Sequence, residues 1–137
     1  MSSYLEDLLL NWIKGTAFAA SPATLYVALY TANPTDANAS GTEVTGNAYA
    51  RVAITSASGW SAIVPAGAGT GDSISNGGIV TFATPTPAGW GTVTGFALYD
   101  ALTAGNEIVW AALTASKVIN AGDAVTFPIA ALAVFFD

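Results

Sequence analysis

The chain contains no cysteine and no histidine. A disulfide, a thiol nucleophile and a thiolate zinc site are all out of reach, redox compartment cannot be read from cysteine usage, and the commonest general base near neutral pH is missing. Positive charge is scarce too. Lys14, Arg51 and Lys117 stand against nine carboxylates, giving a net charge of -6. Phosphate backbones and anionic membranes are bound by clustered Lys and Arg, so neither nucleic acid nor membrane is an expected partner. Charged residues of both signs amount to 9% of 137 residues, while 53% are hydrophobic. An ordinary soluble domain carries about 25%. The deficit favours a surface partly covered by copies of the chain or by a partner. Long apolar runs are also missing. "LEDLLLNWIKG" falls short of a bilayer span and carries Glu6 and Asp7 where a signal peptide carries positive charge.

What is present begins with a helix, predicted over residues 3–14. Ser3 and Glu6 have the spacing of a capping box, Leu5, Leu8, Leu9, Trp12 and Ile13 form one broad apolar face, and Gly15 supplies the stop. Such a helix either caps its own domain's core or docks against a neighbouring subunit.

After Gly15 the period drops to two. "TLYVALYT" alternates Leu25, Val27 and Leu29 with Tyr26, Ala28 and Tyr30, a strand covered on both faces. "YARVAIT", "IVTFAT", "TVTGFALYD" and "EIVWAALT" follow, the last two joined by a loop around "ALTAGN". Gly95 inside a strand predicts a bulge or close packing beneath Trp90 or Trp110, and Pro128 an edge or bulge. The polar loop Asn33 to Asn47 and the Gly, Ser and Ala-rich stretch Gly59 to Gly78 are long enough to reach a partner. The expectation is one all-β domain over residues 1–137, a jelly-roll-like sandwich of about eight strands with one short N-terminal helix.

Reactive constellations are thin. Asp36, Asn38, Ser40 and Glu43 offer oxygen ligands at near-alternate positions, but not in an EF-hand register, and fit a turn-rich loop better. The carboxylate pairs Asp100/Glu107 and Asp72/Asp123 are available for acid–base hydrolysis, but nothing in the sequence places either pair together, and each residue also fits an ordinary turn. Trp12, Trp60 and Trp110 sit in apolar patterns and read as core. Trp90, between two glycines, reads as an exposed ring able to stack on a sugar. The glycines from Gly67 to Gly71 lack the lysine of a phosphate loop. The sequence therefore assigns no catalytic, cofactor-binding or metal residue, no enzymatic activity and no cofactor.

The segments "SSYLEDLLLNWIKG", "PATLYVALYTANPTDANASGTEVTG", "YARVAI", "WGTVTGFALYDALTAGNEIVWAAL" and "NAGDAVTF" together resemble a family of small virion proteins of tailed bacteriophages. The resemblance covers nearly the whole chain, least so between Trp60 and Asn76, and carries no catalytic motif. It implies a structural role in the virion for a protein made in the host cytoplasm. Joined to the charge deficit, it leads to the expectation of a capsid decoration protein, a homotrimer seated on the major capsid protein. A tail, fibre or baseplate part is the alternative, and a receptor- or carbohydrate-binding module a more distant one.

Overall fold

A computed structural model describes residues 1–18, 20–37, 40–55, 58–65 and 71–136, and the order of elements is α1 (Ser3–Ile13), β1 (Thr24–Ala32), β2 (Thr42–Glu43), β3 (Val52–Thr55), β4 (Asp72–Ser75), β5 (Val80–Thr81), β6 (Gly91–Tyr99), β7 (Glu107–Ile119), β8 (Thr126–Phe127) and β9 (Ala133–Phe136). The all-β expectation, with one short helix at the start, is met.

The central sheet has five antiparallel strands. β2, β1, β6 and β7 lie side by side, and β3 also pairs with β1. Registers such as Val27↔Leu98 and Leu29↔Phe96 put the odd residues of β1 and the even residues of β6 on one face. That face joins Val93, Val109, Ala111 and Ile54 in the main core. A second layer closes over it, made of two short ladders, β4 with β9 and β5 with β8. Val80, Phe82, Val125, Phe127, Leu132 and Val134 supply its inner surface. The opposite face of the sheet carries Tyr26, Ala28, Tyr30, Ala97, Tyr99 and Trp110. Both faces of β1 are thus covered, as its double apolar alternation requires.

Gly95 does mark a bulge, since the β6–β7 register shifts between Val93 and Gly95. The close neighbour is not a tryptophan, however. A Cβ on Gly95 would collide with the side chain of Asn33 and lie 2.9 Å from the Ala111 carbonyl. The strand read at "EIVWAALT" continues past Thr114 to Ile119, so that β7 runs for 13 residues. Pro128 follows β8 directly and lies in the turn to β9. The long stretch from Gly59 to Gly78 is largely a hairpin, with bridges Trp60↔Asn76 and Val64↔Ser73 on its arms. Its tip, residues 66–70, lies outside the described residues.

The helix starts at residue 3 as expected, but its cap differs from the capping-box reading. Ser2, not Ser3, is the N-cap, its Oγ accepting the Leu5 N–H at 3.3 Å. The same hydroxyl donates to the carbonyls of Glu107 and Ile108, and the Ser2 N–H reaches the Ile108 carbonyl at 3.2 Å. A buried serine thus pins the helix to β7, and that tertiary contact outweighs the local preference for Ser3. Gly15 takes φ +90° and ends the helix as expected. No residue of α1 is buried. Trp12, expected in the core, is 57% exposed, whereas Tyr4, Leu5, Leu8 and Leu9 are partly covered.

Candidate functional site

The most organised polar chemistry lies around Tyr99, at the end of β6. The register Tyr26↔Tyr99 and Tyr30↔Gly95 brings the β1 and β6 tyrosines onto one face. Tyr30 and Tyr99 share a hydrogen bond of 2.5 Å between hydroxyls. The Tyr99 hydroxyl also donates to Glu107 Oε2 at 3.3 Å. Arg51, just ahead of β3, lays its guanidinium 3.6 Å from the centre of the Tyr99 ring. It grips Glu43 with both arms of its fork, Nε to Oε1 at 2.9 Å and Nη2 to Oε2 at 2.7 Å. Its Nη1 donates to the carbonyls of Ala101 and Ala104 at 2.9 and 2.8 Å. Tyr49 completes the lattice, donating to Glu43 Oε1 at 2.9 Å and accepting the Leu29 N–H at 2.9 Å.

This constellation ties four segments together: β1, the β2 region, the approach to β3, and the β6–β7 loop. Burial raises the Tyr30 hydroxyl well above the ordinary tyrosine range, reinforced by its bond to Tyr99, and burial does the same to Tyr49. These phenols stay protonated and act as fasteners. Glu107, at the start of β7, is fully buried. Burial pushes its carboxyl up to about 7, the Asp36 carboxylate adds to the rise, and the Tyr99 hydrogen bond opposes it. Two hollows flank the Arg51–Glu43 pair. One of about 200 Å³ is lined by Tyr30, Ser40, Glu43, Arg51 and Tyr99, and one of about 420 Å³ by Tyr49, Arg51 and Leu102 among others. Their walls offer hydrogen-bonding edges already engaged with one another.

The oxygen ligands weighed in the sequence do not converge. Glu43 is spent on Arg51 and Tyr49, Ser40 Oγ accepts the Thr35 N–H at 2.6 Å, and Asp36 Oδ1 accepts from Trp110 Nε1 at 3.2 Å. Asn38 lies outside the described residues. Among those described, no three acidic side chains are grouped to hold a metal ion. Asp100 and Glu107 flank the same hairpin but do different work. Asp100 accepts the Asn106 N–H at 2.6 Å and its side-chain amide at 2.9 Å, closing the turn, while Glu107 turns into the tyrosine cluster. Asp72 opens β4, and Asp123 accepts the Asn120 N–H at 2.7 Å within its own turn.

Trp90 overturns the sugar-stacking expectation. It is 6% exposed, donates from Nε1 to the Asn47 carbonyl at 3.0 Å, and meets Tyr49 edge-on at 5.4 Å. Its glycine neighbours are there because backbone packs closely around it: a Cβ on Gly89 would strike the Ile119 carbonyl. Trp60 and Trp110 are half-buried against the two cores, as expected. The tyrosine–arginine lattice went unread in the sequence. Its members are spread from residue 30 to residue 107. The available signals were tyrosine in place of phenylalanine on two covered strands and the presence of a single arginine.

No curated protein matches the chain. The family described as "Podophage GP4 fiber I protein gp80" matches it over residues 1–135. The match spans both the all-β scaffold and the helix pinned to it, and agrees with the resemblance carried by the sequence motifs; the chain belongs to this family of small tailed-phage virion structural proteins.

Proposed function

We propose that the protein is a non-enzymatic structural element of a phage fibre, made in the host cytoplasm and assembled into the virion as a homo-oligomer. The observation that carries this reading is the match to a fibre family over residues 1–135. The structure supports it from the side of chemistry. The most polar cluster of the molecule is engaged in holding strands and loops together, and Glu43, Arg51, Tyr49 and Asp100 all have partners within the chain. Apolar side chains, by contrast, are left in water, among them Ile13 at 73%, Ile63 at 67% and Phe135 at 63% exposure. A protein that works by being built into something larger has this distribution.

The family description favours the fibre over the capsid decoration that composition and loop length suggested. The described part of the Asn33–Asn47 loop is also largely spent on its own sheet, through Asn33 to Thr94 and Asp36 to Trp110. The trimer expected on the capsid rests on the charge deficit and the long loops together with the resemblance to virion proteins. Immunogold labelling of intact particles tests the assignment. Gold on the fibres, with a copy number in the tens or below by quantitative mass spectrometry, is the expected result. Label spread over the head at hundreds of copies would replace the fibre by a decoration protein bound to the major capsid protein.

A further inference from the structure

Asn76 and Gly77 form the one Asn-Gly pair in the chain. That dipeptide carries its own chemistry. The Gly77 backbone nitrogen, unshielded by a Cβ, is able to attack Cγ of the Asn76 side chain. Its proton passes to hydroxide, the bond from Cγ to Nδ2 breaks, and the nitrogen leaves as ammonia after taking a proton from water. The five-membered succinimide that results is opened by one water at either of its carbonyls. The products are aspartate or isoaspartate at position 76, with no change of oxidation state.

The fold keeps each participant occupied. Asn76 is 1% exposed. Its Nδ2 donates to the carbonyls of Gly78 and Pro128, its Oδ1 accepts the Leu132 N–H at 2.8 Å, and the Gly77 N–H donates to the Gly59 carbonyl at 2.8 Å. Cyclisation takes the Gly77 proton away and swings Cγ toward that nitrogen, so these four bonds must break together. The Asn76 backbone is tied as well, its N–H to Leu132 and its carbonyl to Ala130, at 3.1 and 3.0 Å. The reaction therefore waits until the β4–β5 turn parts from both the β8–β9 turn and the Gly59–Trp60 arm. The way back is closed too. A carboxylate at position 76 sets oxygen against the two carbonyls that accept from Nδ2. Isoaspartate adds a methylene to the backbone at the Trp60↔Asn76 bridge. The glycine itself is not required by packing. Its φ is not left-handed, and a Cβ there would meet nothing nearer than 3.4 Å.

We propose that Asn76–Gly77 is a deamidation site gated by the fold, closed in the native protein and open in the unfolded chain, so that modification turns unfolding into a one-way step. The test uses purified full-length protein and is independent of where the protein sits in the particle. Native protein and protein unfolded in guanidinium chloride are incubated side by side in mildly alkaline buffer. Mass spectrometry follows the peptide that contains Asn76, and isoaspartyl methyltransferase labels the isoaspartate. Modification in the native protein scales with the fraction that opens, so it is expected to run at least about a hundredfold slower than in the unfolded chain. On dilution from denaturant after increasing times, refolded molecules keep asparagine at position 76, and modified chains collect in the fraction that fails to refold. Gly77→Ala, which the fold has room for, slows modification in guanidinium by about tenfold or more and preserves the late refolding yield. Equal rates in native and unfolded protein overturn the gate. Modified chains as abundant among refolded molecules as among failed ones overturn the one-way step. So does a Gly77→Ala chain that loses its refolding yield as fast as the native sequence, which would assign the loss to another residue.

Discussion

Asn76 and Leu132 exchange two hydrogen bonds across the second layer: the Asn76 N–H donates to the Leu132 carbonyl at 3.1 Å, and the Leu132 N–H to Asn76 Oδ1 at 2.8 Å. The remaining Asn76 donors go to the carbonyls of Gly78 and Pro128, at 2.7 and 2.8 Å. One buried side chain thereby holds the β4–β5 turn against the β8–β9 turn. Asn76→Ala strands three backbone groups and is expected to cost on the order of 2–4 kcal/mol in urea unfolding. Asn76→Asp fares no better at pH 7, because it aims carboxylate oxygens at carbonyls and buries a charge.

Arg51 is expected to resist conservative replacement. A lysine keeps the charge but cannot span Glu43 and two loop carbonyls at once, nor stack flat on Tyr99. Arg51→Lys should lower stability by about 1–3 kcal/mol. Amide hydrogen exchange should show the loss concentrated in residues 101–106, with the β5–β8 ladder unchanged.

Stability should fall as pH rises through neutrality. The Glu107 carboxyl is raised from 4.5 to about 7, so the folded state binds its proton more tightly than the unfolded chain does. The stabilisation is complete below pH 4.5, declines above it, and is lost as pH passes 7, a change on the order of 3 kcal/mol. Glu107→Gln keeps the shape without the titration. Thermal melts of this variant should vary less between pH 5 and 8 than those of the native chain, and exceed them at pH 8.

Gly95→Ala should be costly although glycine normally weakens a strand. The new methyl meets Asn33 and the Ala111 carbonyl, the latter being backbone with nowhere to move. A loss of about 1–3 kcal/mol in chemical denaturation is expected.

These sites also mark the boundary of what the sequence discloses. β1, β6 and most of β7 were legible because their alternation reports on both sheet faces at once, and the helix because its period and stop are local. The two tryptophans were misjudged in opposite directions for one reason. Trp90 looks exposed beside its glycines, and Trp12 looks internal on its apolar stripe, but what covers a ring is decided by distant chain. Asn47 and Tyr49 reach Trp90, while Trp12, stacked on Phe18, stays 57% exposed. The Tyr30–Tyr99–Glu107 and Arg51–Glu43 contacts were illegible on the same grounds, since only strand register brings residues so far apart in sequence together.

β7 stands last in the order of the central sheet, so among the described residues its outer side has no neighbouring strand. Ser2 sits at the start of that open side, bonded to the carbonyls of Glu107 and Ile108. The residue that starts the helix therefore also acts as a stopper on a template for strand addition. Farther along the same strand, Lys117 puts a single positive charge on an otherwise neutral stretch, a second guard against uncontrolled growth. A chain destined for crowded, ordered assembly thus blocks a route by which crowding would turn it into an aggregate.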